Sequence, residues 1–312
     1  MTGHDFGGAL PWRMPEAAWI ATQDAADRHT ADGAFVAVAG FEWTSQPECW
    51  TEEERLFDGA PRFFIHKCVY FPRKIGKRLF SAKDAATSTP DLLAAAVRAN
   101  GGLVHNFHPS DGADASEQFL CDRANESVIA NTEMWPDTLL HRGREHDVHG
   151  ESNVRRFLST GRRTGFVGGS DSHEGRPVAR TAVLARELTR AGVFETLSRR
   201  RNYAITNARI RIDFRIDGRF MGEAIETRGR PRILVEIEGT DEIREAVVVR
   251  DGAVAFTLVA DGRRARLETH DDACGDESYY YVWVVQNDSD EHGNPSMAWL
   301  SPIWVTQERS KE

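Results

Sequence analysis

Histidines and acids dominate the chemistry this chain can offer. Nine of its eleven histidines lie before residue 174, several at the ends of apolar runs beside glycine or an acid. Gly168 to Gly175 reads GGSDSHEG. Asp171 and His173 are two residues apart, so on an extended segment they point to one side. A carboxylate and an imidazole so placed can hold one divalent cation; a polar Gly/Ser loop is the plain alternative. Glu42 follows the apolar run AFVAVAGF, where it can bridge two metals or sit at the surface beside a packed Trp43. His66 lies within FFIHKCVYF, so it is expected to be buried and either hydrogen-bonded or metal-bound. His105 and His108 flank Phe107 in GGLVHNFHPS; their spacing does not put both on one strand face, which predicts one ligand and one neighbour. His141, His146, His149 and Glu151 form a polar cluster that reads first as a solvated loop and second as a pocket lining. The chain has no H-E-x-x-H, Walker loop, G-x-S-x-G or G-x-G-x-x-G motif.

The elements that must position these residues alternate. Ala34 to Phe41, Phe63 to Phe71, Leu103 to His108, Val128 to Trp135 and Thr164 to Gly168 read as strands. Pro90 to Ala99 has proline at a helix start and apolar residues at helical spacing, and Val154 to Ser159 is also helical in pattern. Such alternation predicts a mainly parallel α/β sheet or barrel. After about Asn207 the pattern changes. Arg209 to Ile216 alternates strictly, and strand-like runs follow at Ile233 to Ile237, Ala246 to Val249, Ala253 to Val259, Tyr279 to Val285 and Pro302 to Val305. Asp217-Gly218, Asp251-Gly252 and Asp261-Gly262 are hairpin signals between them. The expected plan is an α/β domain over 1–207 and an all-β sandwich over 208–312.

Composition narrows the function classes. The 312 residues are 40% hydrophobic and 28% charged, a globular balance, with a net charge of −9. Up to Asn207 there are 25 basic and 27 acidic residues, and 14 and 21 after it. Neither part has the basic excess that phosphate backbones require, so no nucleic-acid partner is expected. No apolar run reaches the ~20 residues of a membrane helix, so no membrane partner is expected either. Cys49, Cys68, Cys121 and Cys274 are scattered without a C-x-x-C pair, which suits incidental cysteines in a reduced, cytoplasmic chain.

GFEW, the histidine of IHKCVYF, GGLVHNFHP and GSDSH, in this order, resemble the PHP (polymerase and histidinol phosphatase) superfamily of metal-dependent hydrolases. More narrowly they are similar to its carbaryl-hydrolase-like group, and the stretches YAITNARIRIDFRIDGRFMG and MAWLSPIWV resemble that group's C-terminal β-sandwich. The resemblance implies a distorted (β/α)7 barrel with two or three divalent ions at the strand ends. It implies metal ligands at His4, Glu42, His66, Asp171 and His173, and favours His108 over His105 as a further one. The family's Thr-Asp-His-Asp motif appears here as Thr2-Gly3-His4-Asp5, with Gly3 replacing the aspartate.

Family members open with a strand bearing His-x-His and a helix before that motif, whereas this chain begins at it. The expected barrel therefore lacks its first βα unit. An upstream start in a longer natural protein, a degenerate member, or completion by another subunit would each account for this. The intact remaining ligands favour the first. The implied activity is metal-assisted hydrolysis of a small-molecule phosphoester, or of a carbamate or carboxylic ester, using Mn, Fe or Zn, with Asp171, His173 and His108 at the chemistry. Arg176 and His149 are candidate substrate contacts. The rival expectation is a catalytically impaired scaffold or binding module.

Overall fold

The computed structural model describes residues 14–44, 66–106, 158–159, 161–169, 179–206, 208–291 and 293–308, with the backbone of short strands at 3–6, 56–57, 60–61 and 131–134. The chain divides into two compact units, Met1–Glu133 with Leu184–Ser198, and Met134–Val183 with Arg199–Glu312.

The first unit contains β1 (Gly3–Phe6), α1 (Glu16–His29), β2 (Ala39–Thr44), the short pair β3 (Leu56–Phe57) and β4 (Ala60–Pro61), β5 (His66–Phe71), α2 (Pro90–Ala99), β6 (Leu103–Asn106), β7 (Asn131–Met134) and α3 (Arg190–Ser198). Helix α2 forms where its pattern predicts. Thr89 caps it by accepting from the Leu92 N–H, Pro90 occupies the first turn, and Leu93, Ala94 and Val97 are buried. Helix α1 is alanine-rich and buries Trp19, Gln23 and Ala26 on one stripe. The Gln23 side chain donates to the Gly76 carbonyl at 2.9 Å and accepts from the Ile75 N–H at 2.8 Å, so its burial leaves no amide group wanting.

Strands β1, β2, β5, β6 and β7 lie side by side in that order. Pairing is parallel for β1–β2 and β6–β7 but antiparallel for β2–β5 and β5–β6. One face carries Phe41, Trp43, Val69, Phe71 and Val104, which form a core with Trp19, Leu93, Ala94 and Val97. The Trp19 and Phe41 rings meet edge-on at 5.3 Å. Lys67 shares that face and is fully buried; its ammonium donates to Asn106 Oδ1 at 2.7 Å.

The second unit comprises β8 (Gly165–Gly168), β9 (Arg180–Val183), β10 (Asn202–Ile205), β11 (Arg211–Ile216), β12 (Arg219–Phe220), β13 (Ala224–Thr227), β14 (Arg232–Glu238), β15 (Ile243–Arg250), β16 (Ala253–Thr257), β17 (Ala260–Asp261), β18 (Arg264–His270), β19 (Glu277–Ser289), β20 (Pro295–Leu300) and β21 (Ile303–Gln307). One sheet runs β13-β21-β19-β20-β10-β9, with β15 and β16 joined beside β19, and a second runs β12-β11-β14-β18-β17. Ile210, Ile212, Phe214 and Ile216, the alternating apolar residues, share a core with Ile233 and Val235 of β14 and Val248 and Val282 of the larger sheet. At Asp217-Gly218 and Asp251-Gly252 both residues have positive φ, which matches the twist of a tight two-residue hairpin.

The expected (β/α)7 barrel lacking one unit and followed by a sandwich is not the fold. Only three helices accompany twenty-one strands among the described residues. Successive strands of a parallel barrel each need a crossover helix, yet β5 runs antiparallel to both of its neighbours, β2 and β6. The β-rich part is also not a separate module that follows. Strands β9 and β10, before Asn207, are built into the same sheet as β19 to β21.

Candidate functional site

The face of the first unit's sheet opposite its apolar core carries the polar residues. Register sets His4 opposite Glu42, Glu42 opposite Cys68, Cys68 opposite His105, and His105 opposite Asn131. Directly opposed residues point to the same face, so five strands present one transverse row. His4 enters this row through its backbone register; its side chain lies outside the described residues.

Glu42 is 3% exposed and reaches diagonally across the β2–β5 pair to His66. Its Oε1 lies 2.7 Å from His66 Nδ1, and Thr44 Oγ1 lies 3.1 Å from the same nitrogen. A carboxylate accepting from Nδ1–H fixes the imidazole tautomer and leaves Nε2 as the basic nitrogen, the arrangement that supports a metal-ligating histidine. Glu42 is thus placed to orient His66 through one oxygen, a role distinct from bridging two ions.

His105 is 7% exposed, stacks at a tilt 4.9 Å from the Tyr70 ring, and its Nε2 is buried without a hydrogen-bond partner. Burial pushes its pKa down to about 4, so the ring is neutral near pH 7 and keeps a lone pair for a ligand. A buried imidazole nitrogen with no partner is costly, and a metal ion is one group that would satisfy it. Asn131 is committed elsewhere: its Nδ2 donates to the Leu197 carbonyl at 2.8 Å. Among the described residues no three His, Cys, Asp or Glu side chains converge on one point, so the row offers ligands singly or in pairs.

Cys68 is the row member that sequence reasoning passed over. It is 1% exposed and forms no disulfide. The available signal was its spacing of two from His66 within one strand, which puts both on the same face.

His108, His149, Asp171, His173 and Arg176, with the His141, His146 and Glu151 cluster, lie outside the described residues. The frame around GGSDSH is visible at both ends, in the second unit. Thr181 Oγ1 accepts from the Gly168 N–H at 3.0 Å and donates to the Gly168 carbonyl at 3.2 Å. A Cβ on Gly168 would stand 2.1 Å from the Arg180 carbonyl oxygen, so only glycine permits this approach. Upstream, Ser301 Oγ accepts from the Phe166 N–H at 2.8 Å and donates to the Asn202 carbonyl at 2.5 Å, while Asn202 Nδ2 donates to the Phe166 carbonyl at 2.7 Å. Side chains thus hold the strand that leads into Asp171 and His173, and no local sequence pattern announced them.

No family model matches the chain. It is similar to a Chlamydia trachomatis serovar D protein described only as uncharacterized, 26% identical over 326 residues, covering 93% of this chain and 50% of that protein. A Chlamydia muridarum protein, described in the same way, shows the same identity and coverage. A Chlamydia pneumoniae protein, also uncharacterized, is 30% identical over 143 residues, covering 40% of this chain and 22% of its own length. The chain spans about half the length of the first two relatives. None of the three descriptions names an activity. No helix among the described residues is long and apolar enough to cross a membrane.

Proposed function

We propose that this protein is a divalent-metal-dependent hydrolase acting on a small phosphoester, with a carbamate or carboxylic ester as the narrower option. The observation that carries the reading is the Glu42–His66 pair at 2.7 Å on the same sheet face as the unpartnered, buried His105 Nε2. Imidazole donors suit a first-row ion such as Mn, Fe or Zn. His66 and His105 would hold the ion, and Glu42 would keep His66 in the ligating tautomer. When bound, the ion supplies Lewis acidity toward an ester or phosphoryl oxygen and acidifies water. The burial of Glu42 and His105 keeps bulk water from competing for these donors. His4, His108, Asp171 and His173 remain candidate ligands, and Arg176 and His149 candidate substrate contacts, on the resemblance to the PHP superfamily alone. The net charge of −9 argues against a nucleic-acid substrate.

Elemental analysis of the purified chain, beside His66→Ala and His173→Ala variants, tests the reading. About one equivalent or more of Mn, Fe or Zn, lost on substitution, is the expected result. Phosphoesterase and esterase activity should then follow metal content. Less than about half an equivalent in a folded protein would instead favour a non-catalytic binding module.

A further inference from the structure

We infer that the cavity beyond the end of β5, away from His66, is a second binding site that takes a small zwitterion of the free amino-acid class. No residue of the proposed metal centre takes part in it.

The cavity has a volume of about 540 Å³ and lies wholly within the first unit. Small-molecule sites occupy roughly 300–1,000 Å³. Its walls come from the end of α1 and the turn after it, from Pro72 and Arg73 just past β5, and from the start of α3. Strand β5 runs from His66 to Phe71. At about 3.3 Å per residue, roughly 16–17 Å of strand separates its two ends, so a ligand here is remote from His66.

One wall is already neutral and satisfied. Asp27 accepts from Arg190 Nη1 at 2.5 Å and pairs with Lys74 at 3.3 Å, and Lys74 pairs in turn with Asp24 at 2.6 Å. Arg190 also donates to the Ala37 carbonyl at 2.7 Å and to Thr30 Oγ1 at 2.9 Å. Two carboxylates and two cations cancel one another and leave no net charge for a ligand to meet.

Two lining charges are left over. Asp32 and Arg73 are both exposed. No ion pair or hydrogen bond joins them to each other or to another side chain among the described residues. A lone anion at Arg73 would leave Asp32 without a countercharge, and a lone cation at Asp32 would do the same to Arg73. A zwitterion answers both. Its carboxylate accepts from the planar guanidinium of Arg73, a fork that suits two carboxylate oxygens. Its ammonium donates to Asp32, and Pro72 and Ala191 supply apolar wall for the carbon skeleton.

Saturation-transfer NMR and equilibrium dialysis of the full chain, which between them cover weak and tight binding, test this with each of the common free amino acids. Acetate and methylammonium serve as single-charge probes. At least one amino acid should bind, about ten-fold or more tightly than either single-charge probe. Arg73→Gln and Asp32→Asn should each weaken that binding by about 10–100-fold. Both variants should keep the parent melting temperature, as suits exposed side chains without partners. Absence of binding by every amino acid overturns the inference. So does binding that survives both substitutions, or acetate that binds as tightly as the amino acid. The hydrolase reading is unaffected by any of these results, because it is tested by metal content.

Discussion

Glu42 Oε1 and His66 Nδ1 stand 2.7 Å apart across two antiparallel strands, although Glu42 is opposed in register to Cys68. The carboxylate leans two residues along the neighbouring strand to reach the ring. Glu42→Gln keeps the volume and an oxygen that accepts from Nδ1–H but removes the negative charge beside the ring. The expected outcome is a metal affinity lower by about 10–100-fold with the melting temperature little changed. Competition against a chelating dye checks it; equal affinity in variant and parent would remove the orienting role.

Thr181 and Gly168 form a two-way clasp at the base of the segment bearing Asp171 and His173. Thr181→Val removes both hydrogen bonds at nearly constant volume, whereas Thr181→Ser keeps them. Hydrogen exchange at the Gly168 amide should accelerate in the valine variant and stay near the parent rate in the serine variant. If valine and serine behave alike, the hydroxyl does not hold this segment.

Asp271 anchors the second unit from a 3% exposed position. It accepts from Arg250 Nη1 at 2.7 and 2.6 Å, from the Tyr280 hydroxyl at 2.9 Å and from the Ala273 N–H at 2.9 Å. Burial works to raise its pKa, but the hydrogen bonds from Arg250, Ala273 and Tyr280 outweigh it and hold the carboxyl below its ordinary 3.8. Because the folded value is depressed, this stability is fully present above the unfolded value. It is lost as pH falls through the folded one. Asp271→Asn should cost about 2 kcal/mol near pH 7. That gap should narrow below about pH 4. Urea unfolding of both proteins at the two pH values reads this directly, and a gap independent of pH would refute it.

Arg190 ties three pieces of the first unit together. Its Nε donates to the Ala37 carbonyl at 2.7 Å, Nη1 to Asp27 at 2.5 Å and Nη2 to Thr30 Oγ1 at 2.9 Å. The Arg190 hydrogen bond holds the Asp27 carboxyl below its usual range. Lysine keeps the charge but lacks the planar fork, so Arg190→Lys should destabilise the protein by roughly 1–3 kcal/mol. A melting temperature unchanged from the parent would show that charge alone suffices.

Much of the local structure was legible. The Thr89-Pro90 start and the apolar spacing behind it set α2, because capping and amphipathicity act within a few residues. The strict alternation of β11 and the Asp-Gly turns were equally local. Strand direction was not. A run such as HKCVYF has the same period whether its neighbours run parallel or antiparallel, so a barrel and a mixed sheet look alike along the chain. Likewise nothing within β5 states that Glu42 and His105 will stand opposite Cys68.

The sequence by itself determined which residues could do chemistry and where most strands and α2 lie. These properties depend on side-chain type and on periods of two and 3.6 residues. Tertiary structure alone decided that His4, Glu42, Cys68, His105 and Asn131 share one row, that Glu42 turns to His66, and that Thr181, Asn202 and Ser301 hold the frame of β8. Register is a relation between distant segments. It is set by which face of each strand must be buried, here the face that packs Phe41, Trp43, Val69 and Phe71 against Trp19 and Leu93.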